Sequence, residues 1–158
     1  MENTTTATEA ETRPVITILC VDDEKNILSS LRRLLRPEGY EVQLASSGAE
    51  GLEILEKMPV DLVISDMRMP EMNGAEFLEK VYAKWPDTVR ILLTGYSEIS
   101  STIDAINKGN IYKYISKPWE EHDLRQTIRN ALEARKIEKE RDALLVLTRK
   151  QNEELRIF

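Results

Sequence analysis

The chain has 158 residues, of which 41% are hydrophobic and 32% are charged, and its formal net charge at pH 7 is -6. A chain of this length can bury one ordinary hydrophobic core with residues to spare, so we expect one domain and an appendage. The acidic balance argues against direct binding to nucleic acid, because phosphate backbones are bound by clustered Lys and Arg.

The beginning of the chain, residues 1–13, is rich in Thr, Glu and Ala and has neither a basic start nor an apolar stretch. This composition is typical of a disordered leader, and it differs from both a signal peptide and a membrane span. The single cysteine, Cys20, lies in an apolar run. We expect it to be a buried free thiol, which fits a protein of the reducing cytoplasm with no membrane association.

Five segments have the composition of β-strands. Three are almost continuous runs of apolar and β-branched residues, which is typical of strands buried on both faces. These are Val15–Val21, the run from Val60 that ends at Asp66, and Val89–Leu93. Two others alternate polar and apolar residues, as edge strands do, and these are Tyr40–Ala45 and Ile111–Ser116.

Helical patterns fill the first three intervals between strands. Leucines at helical spacing predict a first helix that ends at Pro37-Glu38-Gly39. Ser47 and Asn73, each followed three residues later by Glu, predict the capped starts of a second and a third helix. The third helix should bury the side chains of Phe77, Leu78, Val81 and Tyr82.

Two more helices are predicted in the last third of the chain. Ser97 or Ser100 can cap a fourth helix that closes at Gly109. From Glu120 onward there is no Gly or Pro, so one long helix is expected to run towards the end of the chain.

Strands that alternate with helices imply parallel pairing with right-handed crossovers. With the continuous apolar strands in the middle and the alternating ones at the edges, the expected fold is α/β. It is a flavodoxin-like, doubly wound five-stranded parallel sheet of order 2-1-3-4-5 with an extended C-terminal helix. The predicted domain covers residues 14–133, and residues 134–158 are predicted to form a helical linker.

Polar side chains follow four of these strands. Asp22 and Asp23 come after the first strand, Asp66 after the third, Thr94 after the fourth and Lys117 after the fifth. Because parallel strands end at one rim of the sheet, all five should converge there. Three crowded carboxylates favour a hard cation with oxygen ligands, which indicates Mg²⁺. A carboxylate beside such a cation, a Lys and a hydroxyl can attack a phosphoryl group and form an aspartyl phosphate.

With these residues in this order, residues Val15–Glu133 resemble the receiver domain of bacterial two-component response regulators. The resemblance implies that Asp66 is the phosphoacceptor and that Asp22, Asp23, Asp66 and the backbone carbonyl of Arg68 hold Mg²⁺. It also implies that Thr94 and Tyr114 are switch residues. Lys117 would be the salt-bridge partner of the phosphoryl group and would precede a cis peptide bond to Pro118.

The same resemblance implies how the domain is used. A sensor histidine kinase or phosphotransfer protein would supply the phosphoryl group, and the domain would catalyse its own phosphotransfer and dephosphorylation rather than turn over a small substrate. The signal would pass through the face formed by the fourth helix, fifth strand and fifth helix, and along the C-terminal helix, to an output domain absent from this chain. A cyclic-di-GMP enzyme and a DNA-binding activator are both open as outputs.

Three other functions fit these residues less well. An enzyme of the haloacid dehalogenase type, which also forms an aspartyl phosphate, characteristically has Asp-x-Asp, but Arg68 stands two residues after Asp66. A nucleotide-binding module would need a Gly-rich turn after the first strand, where Val-Asp-Asp-Glu is found. A non-phosphorylated adaptor would not need the complete acidic set.

The end of the C-terminal helix contains two competing coiled-coil registers. One is formed by Leu145, Thr148, Asn152 and Leu155, and the other by Leu144, Leu147, Gln151 and Phe158. Both are short and interrupted, so a parallel two-stranded coiled coil and a solvated helix are both open. We expect a homodimer formed through this helix.

Overall fold

The computed structural model describes residues 15–95, 107 and 110–157, with side chains as far as Gln151. The predicted leader and nearly all of the predicted fourth helix, including Ser97, Ser100 and Gly109, lie outside the described residues. The same is true of the side chains of Asn152, Leu155 and Phe158.

A five-stranded parallel sheet forms the centre of the fold, in the order β2-β1-β3-β4-β5. The strands are β1 Thr17–Val21, β2 Glu41–Ala45, β3 Leu62–Asp66, β4 Val89–Thr94 and β5 Lys113–Ser116. Every residue of β1, β3 and β4 is buried, whereas the edge strands β2 and β5 are partly exposed. The sheet order predicted from the apolar and alternating patterns is therefore confirmed.

Three helices connect the first four strands: α1 Lys25–Leu35, α2 Gly48–Lys57 and α3 Gly74–Lys84. The predicted caps are present, since Ser47 Oγ accepts from Glu50 N at 3.1 Å and Asn73 Oδ1 accepts from Glu76 N at 2.9 Å. A short 3-10 turn, Arg36–Glu38, follows α1 and ends at Gly39, whose φ of 89° is in the left-handed region that favours glycine.

The core on one side of the sheet is built around Phe77 of α3, which is fully buried. Leu78 and Val81 join it, as predicted, but the prediction for Tyr82 was wrong. Tyr82 is 39% exposed, and its ring centroid lies 4.7 Å from the guanidinium carbon of Arg90. The residue sits at the margin of the apolar stripe, where a nearby cation offers its ring a favourable contact at the surface.

The chain divides into two compact units, Met1–Trp119 and Glu120–Phe158. The second contains the C-terminal helix, Glu121–Ile157. Leu124, Ile128 and Ala131 are buried, and every described side chain from Lys136 to Gln151 is exposed, including that of Ile137 at 57%. The predicted boundary at Glu133 stays a prediction. No helix among the described residues combines the length and the apolar character that crossing a bilayer requires.

Candidate functional site: an acidic rim with a bridging lysine

The parallel register brings the ends of four strands to the same rim. Val21 is opposite Ser65, Asp66 is opposite Leu93, and Thr94 is opposite Ser116. The residue that follows each aligned strand therefore leaves the sheet at nearly the same height. Asp22, Asp23, Asp66, Thr94 and Lys117 all belong to this rim, as the sequence predicted.

Lys117 bridges two of the carboxylates. Its Nζ lies 2.8 Å from Asp66 Oδ1 and 3.1 Å from Asp22 Oδ2. The side chain of Asp22 is fully buried and that of Asp66 is 9% exposed, so both ion pairs are shielded from water. This shielding strengthens the attraction between Lys117 and the two carboxylates, because the local dielectric constant is lower than that of water.

Asp23 completes a group of three carboxylates. One oxygen each of Asp22, Asp23 and Asp66 lies within 4.8 Å of the others, and Asp23 is exposed while the other two are buried. Oxygen atoms at this separation can surround a single cation, and an all-oxygen set suits Mg²⁺ or Ca²⁺ better than zinc.

Backbone hydrogen bonds fix the ends of the strands that carry these groups. Asp22 N donates to Ala45 O at 3.1 Å, and Asp22 Oδ1 accepts from Glu24 N at 2.9 Å. At the other side of the rim, Lys117 N donates to Thr94 O at 2.7 Å. The peptide bond between Lys117 and Pro118 is cis, as the resemblance implied.

Gly74, at the start of α3, lies directly against the backbone of Asp66. A Cβ at this position would be 2.1 Å from the Asp66 carbonyl oxygen, and Gly74 N donates to Met67 O at 2.8 Å. Only a residue without a side chain allows this approach. In the sequence, the available signal for this contact is a glycine eight residues after a candidate nucleophile.

Burial and charge alter the acidity of the rim. Burial raises the pKa of Asp66 from 3.8 to about 6; Lys117 opposes this rise, and the nearby carboxylates of Asp22 and Asp23 add to it. The pKa of Asp22 is also raised, mainly by burial. For Lys117, burial lowers the pKa, but its hydrogen bonds to Asp66 and Asp22 outweigh this effect and the pKa is raised. At neutral pH the Lys117 ammonium and the Asp66 carboxylate are therefore predominantly charged.

The other predicted site residues have different surroundings. Thr94 is buried at the end of β4, with 4% exposure, beside the strand that carries Asp66. Tyr114, in contrast, is 49% exposed on β5, and Arg68 is exposed in the turn after β3. The structure thus brings Asp22, Asp23, Asp66 and Lys117 together and leaves the Tyr114 ring outside the cluster.

Comparison with known proteins identifies this arrangement. Residues 18–129 match the family described as the response regulator receiver domain. Two similar curated proteins are the hydrogenase transcriptional regulatory protein HoxA of Bradyrhizobium diazoefficiens and the transcriptional regulatory protein GlrR of Escherichia coli K12. The first is 40% identical over 124 residues, 78% of this chain and 25% of HoxA. The second is 40% identical over 116 residues, 73% of this chain and 26% of GlrR.

Solved structures agree with these relatives. The signal receiver domain of an HD domain-containing protein from Pseudomonas fluorescens Pf-5 is 39% identical, with a TM-score of 0.75 over 77% of this chain and 98% of that one. NtrX from Brucella abortus is 26% identical, with a TM-score of 0.78 over 83% of this chain and 30% of NtrX.

The chain spans about a quarter of the length of the curated relatives it matches. The matched region includes all five strands, apart from Thr17 at the start of β1, and every residue of the acidic rim. This chain therefore belongs to the family of response regulator receiver domains of two-component systems.

Proposed function

We propose that this receiver domain is a phosphorylation-dependent signalling switch in which Asp66 accepts a phosphoryl group. The observation that carries the proposal is the position of Lys117, whose Nζ contacts both Asp66 and Asp22. A partly buried cation at this point holds the two carboxylates together and is placed to neutralise the charge that a phosphoryl group adds to Asp66.

The chemistry assigns each atom a role. Lys117 engages Asp66 Oδ1, and we assign attack on phosphorus to the other carboxylate oxygen. The new O–P bond forms as the bond between phosphorus and a histidine nitrogen of the donor breaks, and the nitrogen leaves as a neutral imidazole after protonation. Hydrolysis of the acyl phosphate returns the carboxylate and inorganic phosphate. Because the pKa of Asp66 is about 6, the nucleophilic form predominates at neutral pH.

The three carboxylates fit a divalent metal ion by charge, ligand type and separation. Asp22, Asp23 and Asp66 would hold Mg²⁺, and we assign the Arg68 carbonyl as a further ligand. The ion would supply positive charge to the transferring phosphoryl oxygens. Lys117 supplies positive charge to the same site from the β5 side of the rim.

Signal transmission is assigned to Thr94 and Tyr114. Thr94 is buried on the strand next to Asp66, so its hydroxyl can move towards a new phosphoryl oxygen without leaving the core. Tyr114 is half exposed, which gives its ring space to rotate inward. We infer that phosphorylation shifts the balance between two packings of the β4–β5 region, and that an output domain reads the difference. A histidine kinase or phosphotransfer protein would be the donor, and the cytoplasm the compartment.

Intact-mass analysis after incubation with acetyl phosphate and Mg²⁺ tests the site. The expected product is one phosphoryl adduct on Asp66 in the wild-type chain, and no adduct in Asp66→Asn. The matched control is Asp61→Asn, because Asp61 lies at the opposite end of β3 and accepts from Thr17 N. If Asp66→Asn acquires the adduct at the wild-type rate, the assignment of the phosphoacceptor is wrong.

We also propose that the C-terminal helix mediates self-association. Its described second half is uniformly exposed yet contains a cluster of apolar residues. Helices with such clusters are stable when another apolar surface covers them.

A further inference from the structure

The C-terminal helix carries an apolar turn that is open to solvent. Leu144, Leu145, Val146 and Leu147 are consecutive, and their exposures are 63%, 51%, 57% and 52%. Ile137, two turns earlier, is 57% exposed. Isolated exposed leucines are ordinary, but a contiguous exposed cluster marks an interaction surface.

Most of these side chains share one face of the helix. Leu145 and Leu147 flank Leu144 at about 100° on one side and about 60° on the other, while Val146 points away at about 160°. We call the broad surface centred on Leu144 the Leu144 face. Its apolar members are Ile137, Leu144, Leu145 and Leu147, and the polar residues Glu140, Arg141 and Thr148 lie between them. The two coiled-coil registers that compete in the sequence are therefore two edges of this single face.

Thr148 is compatible with an apolar contact on this face. Its hydroxyl donates to the carbonyl oxygen of Leu144 at 2.9 Å. Because the hydroxyl already has a hydrogen-bond partner within its own helix, burying Thr148 at an interface leaves no polar group without a partner. Its methyl group remains able to make apolar contacts.

We propose that the Leu144 face docks on the same face of a second copy of this chain, with the two helices parallel and in register. The inference rests on the proposed self-association and adds the face and the orientation. Charge favours this arrangement: in a parallel pair, Arg141 lies near Glu140 of the second copy, and the contact is repeated by symmetry. In an antiparallel pair centred on Leu144, Arg141 would instead lie opposite Leu147, and none of the described residues 143–151 around that position is acidic.

The area of the Leu144 face indicates the strength of the pairing. Each half-exposed Leu or Ile offers on the order of 100 Å² of apolar surface. Four such side chains on each copy, with the aliphatic stem of Arg141 and the methyl of Thr148, bring the total close to the ~1,000 Å² that a specific interface requires. We therefore expect a reversible dimer that dissociates on dilution.

Light scattering on the whole chain tests which face is used. Leu144→Lys and Val146→Lys introduce the same charge two residues apart on the same helix, at residues of similar exposure. The first lies on the Leu144 face and the second points away from it. We expect the wild-type chain and Val146→Lys to form dimers at high concentration and Leu144→Lys to be monomeric. Equal loss of the dimer in both variants, or a monomeric wild-type chain at every concentration, would overturn the proposal.

Cysteine cross-linking tests the orientation. The natural cysteine, Cys20, is fully buried, so introduced cysteines can be oxidised selectively. Thr148→Cys should give a disulfide-linked dimer, because the two copies of position 148 meet in a parallel, in-register pair but lie opposite residue 140 in an antiparallel pair centred on Leu144, and Val146→Cys should not. A dimer in which Thr148→Cys fails to cross-link would refute the parallel arrangement. Phosphorylation of Asp66, measured in the same Leu144→Lys sample, reports separately on the proposed switch.

Discussion

Asp66→Asn should make the metal-free protein more stable at neutral pH. The raised pKa of Asp66 means that ionisation of this carboxyl is less favourable in the folded chain than in the unfolded chain. Asparagine has nearly the same shape and carries no charge. Removing the proposed nucleophile should therefore strengthen the fold, which is opposite to the effect of most substitutions at buried positions.

The structure gives the size of the effect. The pKa of Asp66 is raised from 3.8 to about 6, and one pKa unit corresponds to 1.36 kcal/mol, so the penalty above pH 6 is about 3 kcal/mol. The folded-state pKa is the higher one. The penalty is therefore absent below pH 3.8, grows between pH 3.8 and about 6, and is constant above that. At pH 5 it should be about half of its value at pH 7.5.

Urea unfolding in EDTA, followed by circular dichroism, measures this difference directly. At pH 7.5 we expect Asp66→Asn to exceed the wild-type chain by about 2–3 kcal/mol in free energy of unfolding, and at pH 5 by about half as much. Asp23→Asn is the matched control, because Asp23 is on the same rim but exposed. Its effect should stay within about 0.5 kcal/mol.

Two results would refute the reasoning. One is an Asp66→Asn chain that is no more stable than the wild type at pH 7.5 without metal. The other is a gain that does not shrink as the pH falls towards 5. Adding Mg²⁺ should narrow the gap, because a ligand that binds the folded wild-type site stabilises it by mass action.

Three further predictions concern the same rim. Lys117→Ala leaves two buried carboxylates without their cation, so metal-free stability at pH 7.5 should fall by about 3 kcal/mol, and denaturant unfolding should show that adding Asp66→Asn restores most of the loss. Gly74→Ala places a Cβ 2.1 Å from the Asp66 carbonyl oxygen; it should cost about 2–4 kcal/mol in the same assay and slow phosphorylation, whereas wild-type stability would show that α3 shifts freely. The initial rate of phosphorylation by acetyl phosphate should fall as the pH drops below about 6, because Asp66 becomes protonated; raising the Mg²⁺ concentration should move the midpoint of this pH profile to lower pH, and a midpoint independent of Mg²⁺ would contradict shared use of Asp66.

The sequence predicted the sheet and most of the acidic rim for one physical reason. Burial on both faces of β1, β3 and β4 requires continuous apolar runs, and parallel strands necessarily end on the same side of the sheet. The strand order follows from the first fact, and the meeting of Asp22, Asp66 and Lys117 follows from the second. Neither inference requires knowledge of side-chain packing.

What the sequence did not predict depends on contacts between distant segments. Helical spacing placed Tyr82 on the inner face of α3, but the residue lies at the margin of that face, where its ring contacts Arg90 of β4. The contact of Gly74 with the Asp66 carbonyl is likewise set by how closely α3 approaches β3. The simultaneous contact of Lys117 with two carboxylates depends on rotamers that residue types do not specify.

The edge position of β5 has a consequence for the charge of the rim. This strand is four residues long, has β4 as its strand neighbour, and leads directly into Lys117. If β5 frays from the sheet, Lys117 is carried away from Asp66 and Asp22, and two buried carboxylates are left facing each other. Fraying is therefore unfavourable when both carboxylates are ionised, and it becomes easier when they are neutralised. Attachment of the edge strand and ionisation of the rim are two views of a single linked equilibrium, so amide-exchange protection across residues 112–117 should rise and fall with the charge carried by Asp66.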